Sequence, residues 1–213
     1  MNWLSKTIGS SVGKKLLMAI TGLSFCGFLT THLLGNLTLY GGSDFFLAYV
    51  HHLHSMGILI PVAEVILLTL FAVHVVVGLL LFFKNFRSRP VRYAVNKSGG
   101  GRTLGSGTMP YTGVLILGFI IFHLINFHFV DHETQTVWQI VTNAFAVPGY
   151  VAIYVVAMVV AAVHVSHGLW SACHTIGASH PKYTPILKGL SIIFSLIVGI
   201  GFGFIPVYLS VLA

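Results

Sequence analysis

The chain has 213 residues, of which 56% are hydrophobic and only 7% are charged. This composition excludes a soluble globular domain, and soluble enzyme folds with it, and is typical of a small polytopic membrane protein. The formal net charge of +7 would suit nucleic acid or anionic membrane lipid. Basic residues at the ends of membrane helices are enough to explain it, so no nucleic-acid partner is expected.

Five apolar runs are long enough to cross a bilayer, which takes about 20 residues. They are predicted as helices I to V, at about 16–39, 59–83, 110–130, 148–172 and 186–212. The runs lack the alternation of strands, so the predicted fold is an all-α bundle, a single transmembrane domain over 1–213. Helix I follows Lys14 and Lys15 as a signal peptide would, but its length and the lack of a small-residue cleavage site predict a retained helix.

The basic residues predict the orientation of the chain. They lie before helix I, between II and III, and between IV and V: Lys6, Lys14, Lys15, Lys84, Arg87, Arg89, Arg92, Lys97, Arg102, Lys182 and Lys188. Such connections face the cytoplasm, which puts the N-terminus inside and the C-terminus outside. The acids lie in or beside the other two connections: Asp44, Glu64, Asp131 and Glu133. The charged, glycine-rich connection between II and III is a candidate docking surface for a partner.

Four consecutive helices each carry a histidine at membrane depth: His32, His74, His123 and His164. Such a side chain is costly in lipid and is by default a candidate functional residue, the alternative being a hydrogen bond between helices. At about 1.5 Å per residue, His32 and His123 fall toward the outside. His74 and His164 fall toward the cytoplasm, so the histidines form two pairs at two depths.

Two facing histidines, at each of two depths, suit a flat cofactor with an axial ligand on each face, and the pattern predicts two haems. Zinc prefers four clustered ligands, which the split in depth disfavours. The carbonyl four residues earlier in the helix is the expected hydrogen-bond partner of each imidazole. Small residues that could make room for a porphyrin, or serve close helix packing, are Gly22, Ser24, Gly27, Gly35, Gly78 and Gly168.

These features resemble the cytochrome b membrane anchor of succinate:quinone oxidoreductases (succinate dehydrogenase and quinol:fumarate reductase), of the single-subunit, five-helix, di-haem type. The resemblance rests on the four-histidine ladder, FLTTHLLGN in helix I, and AAVHVSHGLWS followed by HTIG in helix IV. The most specific short pattern is His-x-x-x-Gly-Leu-Trp at His164, Gly168 and Trp170. The resemblance covers nearly the whole chain.

The resemblance implies bis-histidine haem b at both depths, with His74 and His164 nearer the soluble subunits and His32 and His123 on the distal haem. It also implies a flavoprotein and an iron–sulfur subunit on the cytoplasmic side of a bacterial cytoplasmic (inner) membrane, with a periplasmic C-terminus. Those subunits would interconvert fumarate and succinate. This chain would pass electrons between them and menaquinone or another quinone, without carbon chemistry of its own. His167 and His128 remain alternatives to the neighbouring ligands.

Quinone chemistry also moves protons, and Glu64 is the one acid embedded in an apolar segment. It is the candidate group for quinone proton transfer, or else it lies at the interface facing water. The remaining histidines suit solvated connections or, at the cytoplasmic end of helix IV, a haem propionate or a partner subunit: His51, His52, His54, His128, His132, His174 and His180. Gly199 and Gly203 in helix V are predicted to serve packing or a homodimer contact.

Two other classes of function fit the same residues less well. A cytochrome b subunit of a membrane hydrogenase or formate dehydrogenase would use the same haem ligation with a different soluble partner. A haem-free membrane protein, either a transporter or a structural anchor, would use the histidines to line a path or to join helices.

Overall fold

The computed structural model describes residues 3–88, 103–178 and 180–212. Every element in these ranges is helical, and five helices are long and apolar enough to cross a membrane. They are α2 (Ser11–Asn36), α4 (Leu59–Arg87), α5 (Leu104–Phe127), α7 (Pro148–Thr175) and α8 (Thr184–Leu212). The all-α fold with five spans is therefore confirmed, and helices I to V correspond to these five elements.

Two of the predicted helix starts are wrong, because polar caps begin these helices before their apolar runs. Helix α5 begins at Leu104 rather than about 110, because Thr103 and Ser106 form a reciprocal capping box. Pro110 then lies inside the helix. Helix α2 begins at Ser11 because the Ser10 side chain accepts a hydrogen bond from a backbone N–H of the first turn.

Three short helices were not expected from the sequence: α1 (Trp3–Gly9), α3 (Ser43–Ser55) and α6 (Val137–Phe145). A 3-10 turn, Leu37–Gly41, leads from α2 into α3 through Gly42, whose φ of 85° favours glycine. Thr136 and Gln139 cap α6 reciprocally. The connections between spans I and II and between III and IV are thus largely folded.

The spanning helices form a ring in the order α2, α4, α5 and α7, with α8 packed outside against α7 and α2. Helix α7 is the centre of the packing, while α4 rests mainly on α2 and has Val77 as its buried residue. In this ring α2 lies diagonally opposite α5, and α4 lies diagonally opposite α7.

The two ends of the bundle differ in chemistry. The end that carries α3 and α6, which we call the cap end, is closed by an apolar cluster of buried residues: Leu39, Phe46, Phe145, Tyr154, Ile205 and Leu209. The opposite end, which we call the basic end, carries the described lysines and Arg87. Arg89, Arg92, Lys97 and Arg102, and with them most of the candidate docking surface, lie outside the described residues.

The glycines of α8 pack within the chain. A Cβ added to Gly199 would lie 2.8 Å from the Ala162 Cβ of α7, and one added to Gly203 would lie 3.5 Å from the Met158 Cβ. The two glycines therefore allow α8 to approach α7 closely, which supports the prediction that Gly199 and Gly203 serve helix packing.

Candidate functional site

His32 of α2 and His123 of α5 meet across the ring near the cap end. Their ring centroids lie 6.0 Å apart and their planes are almost perpendicular, at 88°. Phe28 stacks on the His32 ring at 5.1 Å, and Phe202 of α8 approaches it at 5.4 Å. These are the two histidines that the depth argument pairs, and they come from diagonally opposite helices.

An aromatic cluster surrounds His123. Phe119, Phe127 and Tyr154 have ring centroids 5.9, 5.3 and 6.0 Å from that of His123. The Tyr154 hydroxyl lies 3.3 Å from Nδ1 of His123, and Tyr154 is only 6% exposed. The cluster therefore holds one imidazole nitrogen against a hydroxyl and shields that side of the ring.

His74 of α4 and His164 of α7 form the second pair, nearer the basic end. Their helices, α4 and α7, lie diagonally opposite one another in the ring. Thr21 Oγ1 lies 2.8 Å from Nδ1 of His74, and Thr112 Oγ1 lies 3.0 Å from Nδ1 of His164. Each threonine belongs to the helix that neighbours its histidine.

These hydroxyl contacts correct one expectation from the sequence. At His74, His123 and His164, the hydrogen-bond partner of Nδ1 is a hydroxyl on another helix rather than the carbonyl four residues earlier. A hydrogen bond to another helix also fixes the orientation of the imidazole relative to that helix, because the ring cannot turn without breaking the bond.

The four paired histidines and the part of α7 around His164 are only partly buried. All four histidines keep accessible surface, and Phe28 is 36% exposed although it stacks on His32. Between 160 and 171, no residue of α7 is fully buried, although this helix packs against α2, α5, α6 and α8.

The spacing of the cap-end pair would allow a metal centre between the two imidazoles. Two imidazoles on opposite faces of one iron, with metal–nitrogen bonds of about 2 Å, would have ring centres about 6 Å apart. The centroid separation of His32 and His123 is 6.0 Å. In the described part of the chain, no three His, Cys, Asp or Glu side chains gather into a metal-binding group, so pairs of histidines are the arrangement that a cofactor would meet.

The alternative ligands have other contacts than the paired histidines. His167 Nδ1 is 3.5 Å from Thr103 Oγ1, and the His167 ring packs edge-on against Trp170 toward the basic end. His128 is exposed at the C-cap of α5, with its ring against Phe129. Thr112 thus contacts His164 rather than His167, and Tyr154 contacts His123 rather than His128.

Glu64 lies in the second turn of α4 on the exposed surface. Among the described residues, no side chain forms a hydrogen bond or an ion pair with it. The structure thus does not bring Glu64 into contact with the cap-end pair. The carboxylate remains accessible at the apolar surface of the bundle, near the cap end.

The other residues singled out in the sequence have varied surroundings. Gly22 faces His74, with an added Cβ 3.7 Å from Cε1, while Gly35 and Gly78 pack against Tyr49 and Met18. Ser24 Oγ donates to the carbonyl of Ile20. Added Cβ atoms on Gly27 and Gly168 would have open space around them. The remaining histidines lie on exposed surfaces of α3, of the last turn of α7 and of the connections: His51, His52, His54, His132, His174 and His180.

Thr21 and Thr112 are the site residues that the sequence predictions missed, and an internal repeat would have revealed them. Helices α2 and α5 share the pattern T-G-x4-G-F-x3-H, beginning at Thr21 and Thr112 and ending at His32 and His123. Helices α4 and α7 share A-V-H-V-x2-G-L around His74 and His164. The four histidines and both threonines thus occupy repeated positions.

Comparisons with known proteins give no further guide to the site. No protein-family model matches the chain, and neither the curated proteins nor the solved structures contain one that matches it. The chemistry of the two histidine pairs is therefore the basis for assigning a function.

Proposed function

We propose that this chain is the di-haem b membrane anchor of a succinate:quinone oxidoreductase complex. It would transfer electrons between a membrane quinone, menaquinone or another, and iron–sulfur and flavoprotein subunits that interconvert fumarate and succinate. The observation that carries the proposal is the contact of His32 with His123 from diagonally opposite helices, with ring centroids 6.0 Å apart. The other two helices of the ring repeat the histidine at a second level, at His74 and His164.

His32 and His123 would hold the haem at the cap end, and His74 and His164 the haem nearer the basic end. Each bound haem would supply a one-electron relay, which amino-acid side chains do not readily provide. On α2, the histidine of the cap-end pair follows the threonine at the level of the basic-end pair by eleven positions, and the same spacing recurs on α5. The two pairs are thus separated by about 16 Å along the bundle, so the centres would lie in series.

The chain's own residues would orient the ligands and control access to them. Hydroxyls of Thr21, Thr112 and Tyr154 hold one nitrogen of their imidazoles, which leaves the other nitrogen of each ring for coordination. The apolar cluster at the cap end would keep water from the centre formed by His32 and His123. Ligand geometry and a low local polarity are the levers by which a protein tunes such a centre.

Glu64 is the proposed site of proton transfer to and from the quinone. Its carboxylate is exposed on the apolar surface of α4 near the cap end, where a lipid-soluble molecule has access. The internal repeat adds support. Glu64 precedes His74 by ten residues, as Tyr154 precedes His164, and Tyr154 is buried against His123. At the position of α4 that corresponds to the buried Tyr154 of α7, the chain thus carries an exposed, ionisable side chain.

The soluble subunits would bind at the basic end, facing the cytoplasm across a bacterial cytoplasmic (inner) membrane. The proposal follows from the concentration of lysine and arginine at this end, because cytoplasmic connections carry such an excess. The cap end and the C-terminus would then face the periplasm.

Expression of the chain with its neighbouring genes, followed by purification through a tag on this chain, tests the proposal. We expect two low-spin b haems per chain by pyridine haemochrome assay and succinate:quinone activity in the copurified complex. A folded chain without haem would contradict the cofactor assignment. A haem-containing chain that copurifies with hydrogenase or formate dehydrogenase subunits would contradict the assignment of partners.

A further inference from the structure

The two copies of the internal repeat form the same contacts in space. Thr21 and Thr112 each bond Nδ1 of the repeated histidine on the next long helix, at 2.8 and 3.0 Å. The following glycines, Gly22 and Gly113, each face Cε1 of that histidine, at 3.7 and 3.5 Å from an added Cβ. The pairs α2 with α4 and α5 with α7 are thus two copies of one structural unit.

The hydrogen-bonding geometry of Thr21 determines which atom carries each proton. Thr21 Oγ1 lies 2.7 Å from the carbonyl oxygen of Leu17. A carbonyl has no proton, so two oxygens this close require the threonine proton between them. The hydroxyl oxygen is then left to accept a hydrogen bond, and the only donor that His74 can offer at this position is Nδ1–H.

Thr112 repeats this arrangement in the second unit. Its Oγ1 lies 3.1 Å from the carbonyl oxygens of both Thr108 and Met109 and 3.0 Å from Nδ1 of His164. The carbonyls can only accept, so a hydroxyl that donates its one proton to either of them leaves its oxygen to accept from Nδ1–H, as at Thr21. A neutral imidazole that carries its proton on Nδ1 has a free lone pair on Nε2. Both histidines of the basic-end pair therefore present the same nitrogen for coordination.

We infer that Thr21 and Thr112 are equivalent positioning residues, which fix His74 and His164 in the Nδ1–H tautomer so that both offer Nε2 to one centre. The inference rests on the proposed function for the identity of that centre as a haem, but the tautomers follow from the hydroxyl geometry. Each threonine is almost fully buried, at 2% and 7% exposure, so water does not compete for its hydroxyl.

A structural role alone would also explain two buried threonines, since hydroxyls join membrane helices. The two roles differ in their consequences. A hydroxyl that only joins helices affects stability. A hydroxyl that accepts a hydrogen bond from the ligand also affects how strongly the imidazole donates electrons to the iron. It therefore changes the reduction potential of one haem and not of the other.

The test uses Thr21→Val and Thr112→Val in the purified complex, with a spectroelectrochemical titration of both haems. We expect two haems in each variant, and an upward shift in the midpoint potential of the same haem in both. A tenfold change in the relative binding of oxidised and reduced iron, at the lower end of outer-shell effects, corresponds to about 59 mV for one electron. Thr21→Ser should restore the wild-type potential.

Thr69→Val is the matched control, because Thr69 lies on α4 and its hydroxyl donates to Val65 in the same way but faces no histidine. It should leave both potentials unchanged. Unchanged potentials in Thr21→Val and Thr112→Val, with two haems present, would overturn the inference. A shift in only one of these variants would overturn the equivalence.

Nitrogen-15 NMR of histidine-labelled full-length chain in detergent separates this inference from the proposed function. If the wild-type chain binds no haem, the proposed function fails. The Nδ1–H tautomer at His74 and His164, lost in the respective valine variants, would still support the role of the threonines. The Nε2–H tautomer at either histidine of a haem-free chain would overturn it.

Discussion

Tyr154→Phe is expected to separate the hydroxyl contact of His123 from the packing around it. The phenylalanine keeps ring contacts with Phe119 and Phe145, whose centroids lie 5.0 and 5.1 Å from that of Tyr154. It loses only the long 3.3 Å hydrogen bond to His123, which is worth about 1 kcal/mol. Tyr154→Ala removes the ring as well and should cost about 4 kcal/mol.

The assay is unfolding in mixed micelles of increasing SDS content, combined with a redox titration of both haems. If Nε2 of His123 binds the proposed haem, Nδ1 carries the proton and donates it to the Tyr154 hydroxyl. Tyr154→Phe removes that acceptor, so the imidazole donates less electron density and the midpoint potential of the cap-end haem should rise. The basic-end haem should not change. Tyr150→Phe is the control, since its hydroxyl donates to Asn126 at 3.1 Å in the same cluster.

Two results would refute this reasoning. If Tyr154→Phe destabilises the protein as much as Tyr154→Ala, the rings do not hold the cluster together. If Tyr154→Phe and Tyr150→Phe shift the cap-end potential equally, the contact with His123 has no special effect on the ligand.

Three further predictions concern packing, quinone chemistry and orientation. Gly199→Ala should destabilise the bundle by about 1–3 kcal/mol, because the added Cβ would lie 2.8 Å from the Cβ of Ala162. Combining it with Ala162→Gly should restore the stability. Gly189→Ala is the control and should have no such cost, because its Cβ would have open space around it. Glu64→Gln should abolish quinol-linked turnover while both haem spectra and viologen-driven fumarate reduction persist, and wild-type quinol activity would remove Glu64 from the mechanism. A C-terminal alkaline phosphatase fusion should be active in the periplasm of a bacterial host; an inactive fusion paired with a fluorescent GFP fusion would reverse the orientation.

The spanning helices could be predicted because apolar runs of this length have few alternatives in a chain with so few charges. Helices α3 and α6 were missed since they are only 13 and 9 residues long and lie outside the apolar runs. Their folding depends on burial of residues such as Phe46 and Phe145, and this burial arises only when the spans assemble. Local sequence does not contain that information.

The contact of His32 with His123 could be predicted from depth, because helices of constant rise and alternating direction fix the level of each residue. The hydrogen-bond partners of the imidazoles could not be predicted, since the hydroxyl of a threonine in a membrane helix most often bonds a carbonyl of its own helix. Thr21 and Thr112 do this too. Their second contact depends on the rotation of two helices about their axes, which hydropathy does not determine and which only the internal repeat would have suggested.

The pairing of the histidines is the central claim, and haem content in four single variants tests it most directly. Wild-type protein should contain two b haems per chain by pyridine haemochrome assay. His74→Ala and His164→Ala should each lose the same haem, and His32→Ala and His123→Ala should each lose the other, as judged by the midpoint potential of the haem that remains. A folded wild-type chain with no haem or one haem, or variants that lose haem in any other pairing, would contradict the account.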